Sequence, residues 1–250
     1  MAKNIVLAHG VLGFGGNGRL PIDYFNGVLG HLRRQGHQVL APQVNPIGSV
    51  QQRAAQLTTA IKNAWPENQP VHIIAHSMGG LDARQALAAD SQLAAQVKTL
   101  VTIGTPHQGS PVADAILNPT EPLFQHIPQI IRDWLQVNAG ALHDLSSAAA
   151  LQFNATVADV PNIRYLEVAG NAALAGHELL LFKLAAYIGD IYGEINDGVV
   201  TRQSALRPGH EHLPDWPVDH FGEIGWSFDA FLPFREPSHL ARYRAIADIL

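Results

Sequence analysis

Along the first hundred residues, short apolar runs alternate with longer stretches of helical composition. The runs are Asn4–Ala8, Gln38–Ala41, Val71–Ala75 and Val97–Ile103, and between them lie Tyr24–Gln35, Val50–Trp65 and Met78–Ala89. This alternation predicts βαβ units and a parallel sheet. The strand runs are apolar at consecutive positions, not at every second one, so the sheet must be covered on both faces. A later strand is predicted over Ile163–Ala169 and a closing helix over Leu240–Leu250.

The middle of the chain follows a different pattern. Residues 106–160 carry no strong strand signal and contain one amphipathic helix. Its apolar positions are Leu123, Ile127, Ile130, Ile131, Trp134 and Leu135, with Pro128 near the start. A second segment, Glu178 to Ile188, is apolar on nearly every side, broken clearly only by Lys183. Such a helix must be buried or lie at an apolar boundary. With no internal repeat, low-complexity tract or linker, residues 1–250 read as one domain, with cap or lid segments expected within 107–160 and 171–192.

Composition narrows the class. Of 250 residues, 47% are hydrophobic and only 15% are charged, against about 25% charged in an average soluble domain. A disordered chain and a coiled coil are excluded. The net charge of −5, from 16 basic and 21 acidic residues, gives no case for nucleic-acid binding. The chain has no cysteine, which removes disulfides, thiolate metal sites and cysteine nucleophiles. The four apolar residues Ile5–Ala8 are too few for the core of a signal peptide, and no run reaches the length of a membrane span. As written, the chain is expected to remain in the cytoplasm; a mature fragment re-started with methionine would look the same.

Chemistry enters at Val71-His72-Ile73-Ile74-Ala75-His76-Ser77-Met78-Gly79-Gly80-Leu81. A buried strand ends in Ala-His-Ser-Met-Gly and opens directly into a helix, the arrangement of a nucleophile elbow with Ala75 in place of the usual first glycine. A turn this sharp needs small residues two before and two after the serine, and Ala75 and Gly79 supply them. Ser77 then stands at the amino end of a helix, where backbone amides favour negative charge. The second signal is His9-Gly10-Val11-Leu12-Gly13-Phe14-Gly15-Gly16, directly after the first strand. An oxyanion hole needs two backbone amides aimed at the developing charge. Met78, after the nucleophile, and Val11, in the early loop, are the expected pair. The glycine loop misses the dinucleotide spacing and no Gly-Lys-[Ser/Thr] follows, so a phosphate-binding role is set aside. No cofactor is expected.

On these residues, together with Gly104-Thr105-Pro106-His107-Gln108-Gly109-Ser110 and Asn196-Asp197-Gly198-Val199-Val200, the chain resembles the α/β-hydrolase superfamily, and within it the bacterial true lipases. The four motifs follow the family's order and span most of the chain. The resemblance implies an α/β-hydrolase fold: a mostly parallel sheet covered by helices on both faces, with helical lid or cap insertions. It also implies a triad in the order Ser…Asp…His. Asp197 matches the family's catalytic acid, with Asp190 and Asp215 as fallbacks. His220, in Pro217-Val218-Asp219-His220-Phe221-Gly222-Glu223-Ile224, stands where related lipases carry the general base. His239 reads as a helix-start residue, and His210 and His212 as solvated histidines, not metal ligands. His76 is expected to position the elbow and His107 to make a structural hydrogen bond. Many secreted relatives hold calcium through an aspartate two residues after the catalytic histidine; here that residue is Gly222, so no such metal site is expected.

The implied function is a lipase cleaving esters of medium to long acyl chains through an acyl-enzyme, with an ester or lipid as its partner. A short-chain carboxylesterase is the alternative within the same chemistry. A catalytically silent binding protein on the same fold is the alternative outside it.

Overall fold

The computed structural model describes residues 1–11, 13, 23–129, 132–133, 139–174, 180–227 and 238–250. Among them, six strands form one parallel sheet: β1 Asn4–Ala8, β2 Gln38–Leu40, β3 Val71–His76, β4 Val97–Ile103, β5 Arg164–Val168 and β6 Glu211–His212. Their spatial order is β2-β1-β3-β4-β5-β6. The helices are α1 Val28–Arg34, α2 Val50–Ala64, α3 Met78–Ala89, α4 Ser91–Gln96, α5 Pro111–Leu117, α6 Ala139–Asp144, α7 Ser147–Thr156, α8 Leu180–Tyr192, α9 Arg202–Ala205 and α10 Ser238–Ile249. No helix among the described residues is long and apolar enough to cross a membrane.

The consecutive apolar positions divide between the two faces as the strand pleat demands. Ile5, Leu7, Ile74, Val101 and Val168 pack with Val28 and Leu32 of α1 and with Tyr243 and Ile246 of α10. Val6, Ala8, Ile73, Ala75 and Leu100 pack on the other side with Ala54, Leu57 and Ile61 of α2 and Ala83 and Leu87 of α3. Fully burying one Val, Leu or Ile side chain is worth roughly 1.5–3 kcal/mol, so these two layers dominate the stability. The α2 face repeats at helical spacing, and a capping box starts the helix: Ser49 accepts from the Gln52 amide and Gln52 reaches back to the Ser49 amide.

A third cluster lies apart from both layers. Val112, Ile116, Leu123, Ile127, Leu142, Leu181, Leu184 and Ile188 bring α5, α6 and α8 together with the 3-10 turn Phe124–His126.

Several elements differ from expectation. The first helix begins at Val28, not Tyr24, because Asn26 (φ 39°) and Gly27 (φ 84°) put a left-handed turn ahead of it. Residues 106–160 hold α5, α6 and α7, where a single helix was expected. Serines at 110 and 146 cap α5 and α7; α5 is only seven residues long, and the alanine-rich α7 has little amphipathic contrast. The expected helix over 123–137 falls largely on residues outside those described; Leu123 and Ile127 are buried, and the Arg132 amide donates to the Pro128 carbonyl at 3.1 Å. The apolar segment near 178–188 is α8, and it is buried on one face only. Leu181, Leu184, Ala185 and Ile188 are covered, whereas Lys183, Ala186 and Tyr187 are exposed.

The tightest point of the fold is the start of α3. A Cβ on Gly79 would stand 2.5 Å from the Ala8 carbonyl oxygen and 2.8 Å from that of His9. Both neighbours are backbone and cannot swing away. Gly79→Ala is expected to destabilise the protein by about 2 kcal/mol or more, read as a lower midpoint in urea unfolding with an unchanged slope.

Candidate active site

Strand β3 runs buried to His76 and the chain turns at Ser77, whose φ of 56° and ψ of −134° are strained for a non-glycine residue. The turn is pinned by its backbone. The Ser77 amide donates to Ile103 at 2.9 Å, the Gly80 amide donates to the Ser77 carbonyl at 3.0 Å, and Thr105 Oγ1 donates to the same carbonyl at 2.8 Å. Gly80 gives that threonine room, since a Cβ there would meet Thr105 Oγ1 at 2.2 Å.

The loop after β1 closes over this turn. A Cβ on Gly10 would lie 2.7 Å from Ser77 Cβ and 3.1 Å from Ser77 Oγ. The side chains of Val11 and Met78, the two residues expected to donate oxyanion amides, pack in one small cluster with Val50, Leu81 and Ala141. Arg53 of α2, fully buried, ties the loop down. Its Nη2 donates to the carbonyls of His9 at 2.6 Å and Gly10 at 3.2 Å, its Nη1 donates to Asn45, and its Nε donates to Asp82 of α3 at 2.8 Å. Burial pushes the Asp82 carboxyl up to about 7, partly offset by Arg53. His9 is held on both nitrogens: Nε2 accepts from the Val44 amide at 3.2 Å, so Nδ1 carries the proton and donates to Gly10 at 2.8 Å.

Asp197 and His220 come from two loops beyond β5. Asp197 sits in a tight turn with Gly198 at φ 92°. Its Oδ1 accepts from the amides of Val199 at 2.8 Å and Val200 at 2.7 Å, and its Oδ2 lies 2.8 Å from His220 Nδ1. The His220 amide also donates to the Asp197 carbonyl at 2.9 Å. The His220 ring packs on that of His76, centroids 4.5 Å apart. His76 directly precedes Ser77, so the Asp197–His220 pair lies near the turn at the end of β3 that carries Ser77, and these are the three residues expected as a triad. Each is buried. The two fallback acids lie elsewhere: Asp190 is exposed on α8, and Asp215 pairs with Arg202 at 2.7 Å.

The other histidines find protein partners. His107 is fully buried between Arg84 Nη1 at 3.2 Å and Thr102 Oγ1 at 3.1 Å. His210 bonds Asp159, His212 bonds the Arg207 carbonyl, and His239, near the start of α10, bonds the Asn26 carbonyl. His76, expected to position the elbow, is hydrogen-bonded on both nitrogens, to Tyr24 at 2.7 Å and to Glu223 at 2.9 Å.

Glu223 is the residue that the sequence reading missed. It lies three positions after His220, with its carboxyl fully buried and 3.4 Å from His220 Nδ1. His76, His220 and Glu223 offer one ligand atom each within 4.8 Å of one another, the one such cluster among the described residues. Within it His76 Nε2 already bonds Glu223 Oε2, and His220 Nδ1 bonds Asp197 Oδ2.

Burial, and then the Arg53 charge, lower the His9 pKa from 6.5 to about 4. The folded-state value lies below the unfolded one, so as pH falls the unfolded chain takes up the proton first. The contribution of His9 is complete above pH 6.5 and is lost between 6.5 and about 4, a span of about 3 kcal/mol. His9→Gln is expected to flatten this part of the stability–pH curve, measured by urea unfolding at pH 7.0, 6.0 and 5.0. An identical slope in both proteins would show that His9 is not buried neutral.

Comparison with known proteins follows this geometry. Residues 37–153 match the family described as a PGAP1-like alpha/beta domain. The chain is 27% identical over 213 residues to triacylglycerol lipase 2 of Saccharomyces cerevisiae, a match that covers 83% of this chain and 64% of the yeast protein. It is 27% identical over 251 residues to a triacylglycerol lipase of Vibrio cholerae, covering 88% and 78%. Among solved structures, mature Bacillus licheniformis lipase BlEst2 superposes with a TM-score of 0.72 at 24% identity, over 89% of this chain and 86% of that one. The chain thus spans less than two thirds of the yeast relative's length.

Proposed function

We propose that the chain, which is similar to triacylglycerol lipases over most of its length, is a serine ester hydrolase of the α/β-hydrolase lipase family. Its substrates on this reading are carboxylic esters of medium to long acyl chains, cleaved through Ser77, His220 and Asp197. The observation that carries it is the buried His220–Asp197 pair at 2.8 Å, packed on the residue next to a strained serine.

The chemistry follows from the contacts. With Nδ1 committed to Asp197, Nε2 of His220 is the nitrogen that takes the Ser77 proton as Oγ attacks the ester carbonyl. Asp197 fixes that tautomer and offsets the imidazolium charge. The amides of Val11 and Met78 receive the oxyanion, each worth about 3–4 kcal/mol in such sites. They are set in place before reaction by Arg53 and the elbow, so little reorganisation is needed. His220 then protonates the leaving alcohol, and water, deprotonated by the same nitrogen, releases the acid.

The acyl preference is supported by apolar surface. Phe221, directly after the base, is 44% exposed, and Leu174, in the loop beyond β5, is 64% exposed. Single exposed apolar residues are ordinary, so a direct measurement decides.

Hydrolysis of p-nitrophenyl esters from acetate to palmitate, by wild type and Ser77→Ala, tests the reading. The expected result is a maximum at octanoate or longer, with kcat reduced about a thousand-fold or more in the variant. A maximum at acetate or butyrate that the variant also abolishes would identify a short-chain carboxylesterase. Equal rates in both proteins would remove Ser77 from the chemistry, and absence of turnover in both would favour a binding protein.

A further inference from the structure

Glu223 is not used in the acyl-transfer steps, yet the fold makes a dedicated place for it. The carboxyl lies between two glycines that follow adjacent strands. A Cβ on Gly104, after β4, would stand 2.1 Å from Glu223 Oε2, and one on Gly170, after β5, would stand 2.5 Å from Oε1. Glu223 is fully buried, and its ion-pair partners among the described residues are only His76 and His220. The charged and titratable groups around it are Asp197, Asp219, His76, His220 and, from α10, the Tyr243 hydroxyl.

Two neighbouring carboxyl groups in a dry site do not both ionise. Hydrogen bonding decides which one keeps the charge. Asp197 is ringed by donors: two backbone amides on Oδ1 and the His220 Nδ1–H on Oδ2. An acceptor with three donors aimed at it is a carboxylate. Glu223 accepts from His76 on Oε2; the Gly170 amide lies near the carboxyl but Oε1 completes no hydrogen bond. A buried carboxylate so poorly supplied would be very costly, whereas a carboxylic acid needs only an acceptor, and Asp197 is one.

We propose that Glu223 is a neutral carboxylic acid that donates its proton in a hydrogen bond to Asp197, making it a positioning residue for the triad. This rests on the reading of Ser77, His220 and Asp197 as the triad. The assignment also orders the protons behind Glu223. Burial keeps the Tyr24 hydroxyl protonated, so it donates to His76 Nδ1 and His76 Nε2–H donates to Glu223. Burial holds His76 neutral, as this requires, and raises the Glu223 carboxyl well above its ordinary range, with Asp197 adding to the rise. One hydrogen-bonded chain then runs from Tyr24, through His76 and Glu223, to the acid that orients His220. The cluster has one full negative charge at Asp197, with the Glu223 carboxyl beside it and 3.4 Å from His220 Nδ1.

The test uses the full chain with Glu223→Gln and Glu223→Leu. Glutamine keeps both roles, since its carbonyl accepts from His76 and its amide donates to Asp197. Leucine keeps neither. On p-nitrophenyl butyrate, Glu223→Leu is expected to lower kcat about ten-fold with little change in KM, and glutamine to restore most of that loss. The acid limb of the kcat/KM–pH profile is expected to stay within about 0.3 unit of wild type in Glu223→Gln, because no charge has been removed. A downward shift of that limb by about one unit or more would mean that Glu223 is ionised, and would overturn the proposal. Infrared difference spectra of wild type minus Glu223→Gln at neutral pH give an answer that does not depend on turnover. A protonated-carboxyl C=O band is expected in wild type, and a carboxylate band in its place would overturn the proposal. If the esters are not hydrolysed at all, the function reading fails on its own, and the infrared band still decides where the proton sits.

Discussion

The structure turns on the approach of one backbone to another, the first turn of α3 against the end of β1. Gly79 lies so close to the carbonyls of Ala8 and His9 that no side chain fits between them. That contact sets the height of Ser77 above the sheet and brings Gly10 against its Cβ. The strained backbone at Ser77 costs of order 1–3 kcal/mol. Hydrogen bonds to Ile103, Gly80 and Thr105 offset it, and those partners come from β4, α3 and the β4 loop. The geometry of Ser77 is thus distributed over three neighbouring segments, each fixed by the sheet.

A second constraint is electrostatic. The site gathers Asp82, Asp197, Asp219 and Glu223 in the interior, with one buried arginine, Arg53, near them. Charge in such a place survives only where donors converge on it. Asp197 has its turn amides and His220, and Asp82 has Arg53. The neutral imidazoles of His9 and His76 do the opposite service, passing hydrogen bonds along without adding charge.

What the sequence disclosed follows the range of each signal. Ser77 and Asp197 lie in short motifs whose spacing is dictated by a local turn, and the structure has a strand-to-helix turn at Ser77 and a tight turn with Gly198 at Asp197. His220 was found by its resemblance to a family pattern, and it meets Asp197 at hydrogen-bond distance. Strands β1 and β4 match their apolar runs end to end. Glu223 stayed hidden because a glutamate in a loop reads as a solvated side chain. The signs of its burial are Gly104 and Gly170, which are distant in sequence and meet it only once β4 and β5 pair. The Arg53 interactions were hidden for the same reason. An arginine in a helix whose apolar residues recur every three or four positions carries no mark of the carbonyls it will meet. Helix α7 was missed because its alanine-rich segment shows little contrast between faces, α5 because seven residues are too few to show a period, and the serine caps of both are common in any loop.

The apolar cluster formed by α5, α6 and α8 has no buried member in common with the two layers that cover the sheet. The cluster still reaches Asp197 through the backbone on either side of it. Asn196 donates to the Ala185 carbonyl of α8 at 3.1 Å, and a Cβ on Gly198 would stand 2.7 Å from the Leu181 carbonyl oxygen. A substitution that shifts α8 is therefore felt at the turn that carries Asp197, and the two must change together as the sequence drifts.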